Sequence, residues 1–149
     1  MIMKLNITIL MVCLSISLLS CTHTVNAQDD VPEAVETTFK AMYPDENDPD
    51  WEMDAHGNWE ARIRIKGIRN RVDYRPDGRW VETEISIDKE ELPKVIKDII
   101  NASKELKDMK ITEVEKVDSA TKGKFYDVEF KQKGKNKDVE FRESGEIIN

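Results

Sequence analysis

The chain has 149 residues, 23 of them basic and 30 acidic, for a formal charge of −7. That balance argues against nucleic acid and against an anionic membrane surface as partners. Its two cysteines, Cys13 and Cys21, both lie near the N-terminus, so no disulfide framework can form in the rest of the chain.

Met1 to Lys4 is short and basic, and Leu5 to Leu19 is almost wholly apolar but too short to cross a bilayer as a helix. This pattern predicts an export signal over residues 1–27. Two processing routes are written into it. Val25-Asn26-Ala27 offers the small residues of a cleavage site, giving a periplasmic or secreted chain from Gln28. Leu18-Leu19-Ser20-Cys21 resembles a bacterial lipobox, which ends the leader at residue 20 and makes Cys21 a lipidated membrane anchor. Leu19 is bulky for its place in that motif.

The spacing of Val31, Val35, Phe39 and Met42 predicts a helix over Val31 to Met42. Asp30 and Glu33 have capping-box spacing, Pro32 suits the first turn, and Tyr43-Pro44 ends the helix. The loop Pro44 to Asp50 is acidic. Asp45, Asn47, Asp48 and Asp50 could donate oxygens to a cation, which keeps a small-ligand or cation-binding role as an alternative. Counted from Asp45, however, the sixth position is Asp50 and the twelfth His56, where a calcium loop needs Gly and Glu. A solvated loop explains the same residues.

Strands are predicted next at Trp51 to Ala55, Asn58 to Ile65, Arg69 to Arg75 and Trp80 to Ile87, punctuated at His56-Gly57, Lys66-Gly67 and Pro76-Asp77-Gly78. Leu92, Val95, Ile96, Ile99, Ile100 and Leu106 predict a second helix over Leu92 to Lys107. Further strands are predicted at Lys110 to Val117, Lys124 to Gln132, Lys137 to Arg142 and Glu146 to Ile148.

These elements repeat. Trp59, Ile63, Gly67, Val72, Tyr74 and Gly78 correspond without a gap to Tyr126, Phe130, Gly134, Val139, Phe141 and Gly145. Self-similarity of this kind is a primary clue to architecture. The predicted fold is α+β: a tandem repeat of one helix plus a four-stranded antiparallel sheet, over residues 28–88 and 89–149, with the helices on one sheet face.

Alternation within the strands predicts one apolar face and one face dense in charge. Opposite charges on neighbouring strands would stabilise a merely solvated face, and they would equally suit a partner protein. The candidate partner-binding residues are Arg62, Arg64, Arg71, Tyr74, Trp80, Glu82 and Glu84. Trp80 decides much of this. Its parity sets it among the charges, as a binding anchor, whereas a bulge at the Gly78 turn would reset the parity and bury it. Trp51 and Trp59 belong to the core.

No catalytic set is legible. Beyond the leader there is one histidine, His56, in a turn. There is no nucleophile elbow, P-loop or dinucleotide fingerprint, and no carboxylate pair is singled out, so no cofactor and no enzyme activity are predicted.

Val31-Pro32, Val35, Phe39, Tyr43-Pro44, Trp51-Glu52, Gly57, Trp59-Glu60-Ala61, Tyr74, Asp77-Gly78-Arg79-Trp80, Glu82-Thr83-Glu84 and Leu92-Pro93 together make the chain resemble the PepSY-like family. These are secreted bacterial proteins also described as beta-lactamase-inhibitor-like. The second copy is looser and has no tryptophan. The resemblance implies an architecture like the beta-lactamase inhibitor protein. It also implies a non-enzymatic protein that binds, inhibits or regulates an envelope peptidase or hydrolase. It carries over no functional residue.

Overall fold

The computed structural model describes residues 31–149. The expected leader, both processing sites, Cys21 and the Asp30 half of the predicted capping box lie outside the described residues.

The first helix, α1, spans Glu33–Met42, two residues later than its apolar spacing suggests. Pro32 is the N-cap rather than a first-turn residue. Its backbone is extended, and its carbonyl accepts the N–H groups of Val35 (2.8 Å) and Glu36 (3.1 Å). Glu33 and Glu36 complement the positive end of the helix dipole. Val35 and Phe39 are buried, whereas Met42, expected in the same stripe, is 42% exposed.

Strands β1 (Asp50–Met53), β2 (Trp59–Ile65), β3 (Ile68–Tyr74) and β4 (Trp80–Ser86) come next. A 3-10 turn over Lys89–Glu91 then leads to helix α2, Lys94–Ala102. The Asp88–Glu91 capping box holds that turn, the Asp88 N–H donating to Glu91 Oε1 at 3.0 Å. α2 is much shorter than the predicted Leu92 to Lys107. It stops at Ser103, whose Oγ accepts the N–H groups of Glu105 (3.3 Å) and Leu106 (3.2 Å) and so draws the backbone out of the helix. Leu106 is still buried, delivered by a turn instead of a helix face.

Strands β5 (Lys110–Ser119), β6 (Gly123–Gln132) and β7 (Lys135–Phe141) complete the chain. All seven strands form one antiparallel sheet whose order is that of the sequence. Because β4 pairs with β5, the four-stranded sheets expected of each half are not separate. The predicted eighth strand at Glu146 to Ile148 is reduced to a single bridge, Phe141 to Ile147. Beyond it, the Asn149 side chain accepts the Glu140 N–H (3.0 Å) and donates to the Asp138 carbonyl (3.1 Å).

Each helix covers its own part of one sheet face. Val35 and Phe39 of α1 pack on Trp51, Trp59, Ala61, Ile63, Val72 and Tyr74 of the sheet. Phe39 meets Trp51 nearly edge-on, with centroids 5.3 Å apart. Ile96 and Ile100 of α2 pack on Val114, Val128, Phe130, Val139 and Phe141 of the sheet. Two tight turns share one geometry. Gly78 N–H bonds to Arg75 O and Gly145 N–H to Arg142 O, both at 2.8 Å. Both glycines have φ above +80°, and both lie against a helix. A Cβ would come within 2.5 Å of the Ala34 carbonyl oxygen at Gly78, and within 2.5 Å of Ile99 Cδ1 at Gly145.

Candidate functional site

The sheet face away from the helices is the candidate site, and two bulges decide which residues reach it. In the β3–β4 pair, Tyr74 opposes Trp80 and Asp73 opposes Glu82, so Val81 stands unmatched. The bulge thus falls within β4, past the Gly78 turn, and it moves Trp80 off the charged face. Trp80 packs beside the α1 core, and its Nε1 donates to Thr83 Oγ1 at 3.0 Å. Tyr74 is fully buried on that same side, its hydroxyl 3.7 Å from Met42 Sδ. These two candidates therefore leave the charged face. Arg62, Arg64, Arg71, Glu82 and Glu84 remain on it.

The second bulge, in β5, leaves Thr112 unmatched between Ile111, opposite Phe130, and Glu113, opposite Glu129. It turns Glu113, Glu115, Val117 and Ser119 to the open face. Val117 (1% exposed) opposes Phe125, and both are buried on the side without helices. Alternation alone gave no sign of this small apolar patch, because it depends on where Thr112 breaks the register.

The register sorts the charges by sign. Glu52, Glu60, Asp73 and Glu82 stand abreast across β1 to β4, four carboxylates in one row. In the next row Arg62 opposes Arg71, which opposes Glu84, and beyond it Arg64 opposes Arg69. Across β5 to β7 the acids return. Glu115, Asp127 and Glu140 form one row, and Glu113, Glu129 and Asp138 another. Like charges directly opposite one another destabilise a sheet, so this arrangement needs compensation.

Arginines supply part of it. Arg62 lies 2.5 Å from both Glu52 and Glu60. Arg71 lies 2.6 Å from Glu84 and also donates to Glu115. Arg69 bonds Ser86 Oγ at 3.1 Å and pairs with Glu113. At the far edge, Lys122 Nζ lies 2.6 Å from Glu140.

Protons supply another part. Burial, with the charges of Glu60, Glu82 and Asp54 added, pushes the Asp73 carboxyl up to about 7, against the pull of Arg71. Burial raises Glu84 to about 8 despite Arg71 beside it. Asp127 rises to about 6 through burial and the nearby Asp138, Glu140 and Glu115. Burial works against the Arg71 charge, but Glu84, Glu115 and Glu60 outweigh it and hold its pKa above the ordinary value.

Elsewhere, Asp50 of the acidic loop joins β1 opposite Arg62, and the Asn47 side chain turns to the Asp45 carbonyl at 3.4 Å. Among the described residues, no group of three or more His, Cys, Asp or Glu side chains is placed to hold a metal ion. His56 sits exposed in its turn, its backbone N–H bonded to Asp54 Oδ1 at 2.7 Å. No helix among the described residues is long and apolar enough to cross a membrane.

Solved structures of the same fold exist. A protein from Bacteroides eggerthii, described as a putative periplasmic protein, matches with a TM-score of 0.71 at 22% identity, over 80% of this chain and 86% of that one. A DUF2874 family protein from Bacteroides uniformis matches with a TM-score of 0.70 at 22% identity, over 79% and 86%. A BLIP-like protein from Bacteroides fragilis matches with a TM-score of 0.65 at 21% identity, over 79% and 84%. No curated protein matches the sequence. The family model described as "Putative beta-lactamase-inhibitor-like, PepSY-like" matches residues 18–54 and 61–149. The match spans most of the sequence, and the chain belongs to the PepSY-like family.

Proposed function

We propose that this chain is a non-enzymatic binding protein of the cell envelope. In this reading it engages another protein through the open sheet face and acts as an inhibitor or regulator of a peptidase or other hydrolase. The carrying observation is that the sheet buries both helices on one face and leaves the other as a charged surface held in place by cross-strand ion pairs. A surface ordered before binding loses less entropy on docking. The inhibitor-like family description and the BLIP-like structural relative support the same reading. An envelope address rests on the export signal over residues 1–27, with Cys21 as the anchor if the lipobox route is used.

The finer architecture belongs to the same proposal. Residues 28–88 and 89–149 are two copies of one helix-plus-strands unit, merged where β4 meets β5. The matching turns of Gly78 and Gly145, each against its own helix, support this.

The test is affinity capture from an envelope extract, followed by affinity measurement with the captured protein once purified. The baits are the wild-type chain, an open-face variant carrying Arg64→Glu with Glu82→Lys, and a helix-face control, Lys97→Glu. The partner is expected to be lost from the first variant and kept by the control. Equal capture by all three would sink the docking face.

A further inference from the structure

The carboxylate row across β1 to β4 is charged unevenly. Arg62 serves Glu52 and Glu60. Among the described residues, neither Asp73 nor Glu82 has an ion-pair partner. Asp73 is 8% exposed, and its Oδ1 is buried without a hydrogen-bond partner. A carboxylate in that position is costly if nothing satisfies it. A fold gains nothing from keeping such a group for packing alone, since asparagine would fill the same space. Oδ1 itself is closed to solvent, so a positive charge from outside would meet the exposed remainder of Asp73 together with Glu82, a second acid without a cation.

We infer that the Asp73–Glu82 end of this row is the seat of a lysine or arginine side chain presented by the partner protein. This rests on the open-face docking proposed above and names its chemistry. The acids of β5 to β7 that have no ion-pair partner among the described residues, Asp127, Glu129 and Asp138, draw a basic segment toward the same face. The groups facing Asp73 are Glu60 from β2, Glu82 from β4, Arg71 on its own strand and Asp54 from the β1–β2 turn. Three of these four side chains are acids, so an arriving cation replaces the proton that Asp73 holds near neutrality. One N–H···O contact forms, the O–H bond of the carboxyl breaks, and the proton leaves to buffer.

Hexalysine is the probe, titrated calorimetrically at low ionic strength and pH 6 into the chain processed after Ala27, in two buffers of different ionisation enthalpy. The wild type is expected to release close to one proton per peptide bound. Asp73→Asn should remove the larger part of that release, leaving at most what Asp127 supplies, and both Asp73→Asn and Glu82→Gln should weaken binding by about tenfold or more. Asp138→Asn, on the distant acidic row, should weaken it no more than about twofold, as one charge in a diffuse field does. Absence of proton release from the wild type, or equal weakening by Asp73→Asn and Asp138→Asn, would overturn the seat. If the variant carrying Arg64→Glu with Glu82→Lys still loses its partner in that case, the docking face stands without the seat. If it keeps its partner, the docking face has failed on its own.

Discussion

Arg71 on β3 donates to Glu115 on β5, reaching past the whole of β4. On the way its Nε stands 2.6 Å from Glu84. One guanidinium thereby joins three strands and bridges the line where the N-terminal and C-terminal parts of the sheet meet. Glu115 is 4% exposed. Removing the cation beside it leaves a buried charge uncompensated, at a cost of about 3–5 kcal/mol. Arg71→Met should therefore lower the urea midpoint steeply. Arg64→Met removes an exposed side chain and should change stability by less than about 0.5 kcal/mol. Equal effects would mean that Arg71 does not tie the strands.

Stability should rise as the solution is made mildly acidic. Asp73, Glu84 and Asp127 are raised by burial to about 7, 8 and 6, from ordinary values of 3.8, 4.5 and 3.8. Between about pH 4 and pH 8 the folded chain holds protons that the unfolded chain has released. Stability then falls as pH rises through that window, and it levels off above about pH 8. Asp54 acts in the opposite sense. Although burial works the other way, the N–H groups of Asn58 and His56 hold it below 3.8, so its contribution is lost as pH falls through that lowered value. A melting temperature higher by about 5 °C or more at pH 5 than at pH 8.5 is expected from calorimetry. A flat profile would show that these carboxyls titrate normally.

The two turn glycines should not be equally tolerant. At Gly78 and Gly145 alike, alanine meets a positive φ, worth about 1–3 kcal/mol. At Gly78 the new Cβ also meets the Ala34 carbonyl, which is helix backbone and cannot move without lifting α1. At Gly145 it meets the end of the Ile99 side chain, which can rotate away. Gly78→Ala should cost more than Gly145→Ala in denaturant unfolding. The reverse order would contradict the packing of the first turn under α1.

Trp80 becomes a structural residue. Trp80→Ala should cost about 1–2 kcal/mol, less than a fully buried tryptophan, and should leave partner capture intact. Lost capture with an unchanged melt would return Trp80 to the binding surface.

Local chemistry makes much of this fold readable in the sequence. Pro32, Tyr43-Pro44, Gly57, Gly67, Gly78 and Gly145 mark real boundaries, and period-2 alternation places Trp59, Ala61, Ile63 and Val72 in the core. Register is what stays hidden. The Gly78 turn offers a bulge that would bury Trp80 as one of two readings, but Val81 and Thr112 are ordinary strand residues, and nothing about them fixes where the register breaks. Yet one shift moves Trp80 to the core side and the other brings Val117 to the open side. The acidic row of Glu52, Glu60, Asp73 and Glu82 is illegible for the same reason. Its members lie far apart in sequence and meet only once three strand pairings are set. Ser103 shows a different limit: an apolar stripe reaches Leu106, but a side-chain oxygen diverts the backbone first.

The residues after Gly145 have a consequence for how copies of this molecule meet. A terminal strand presents a row of free N–H and C=O groups on which a second chain can add itself. Over the C-terminal half of β7 the stub occupies them. Ile147 bridges Phe141, and the Asn149 amide imitates a peptide unit against Glu140 and Asp138. At the opposite end, β1 is four residues long and carries Asp50 and Glu52. One margin is stoppered over half its length and the other is short and acidic, so the sheet resists growing into a fibre while its broad face stays open.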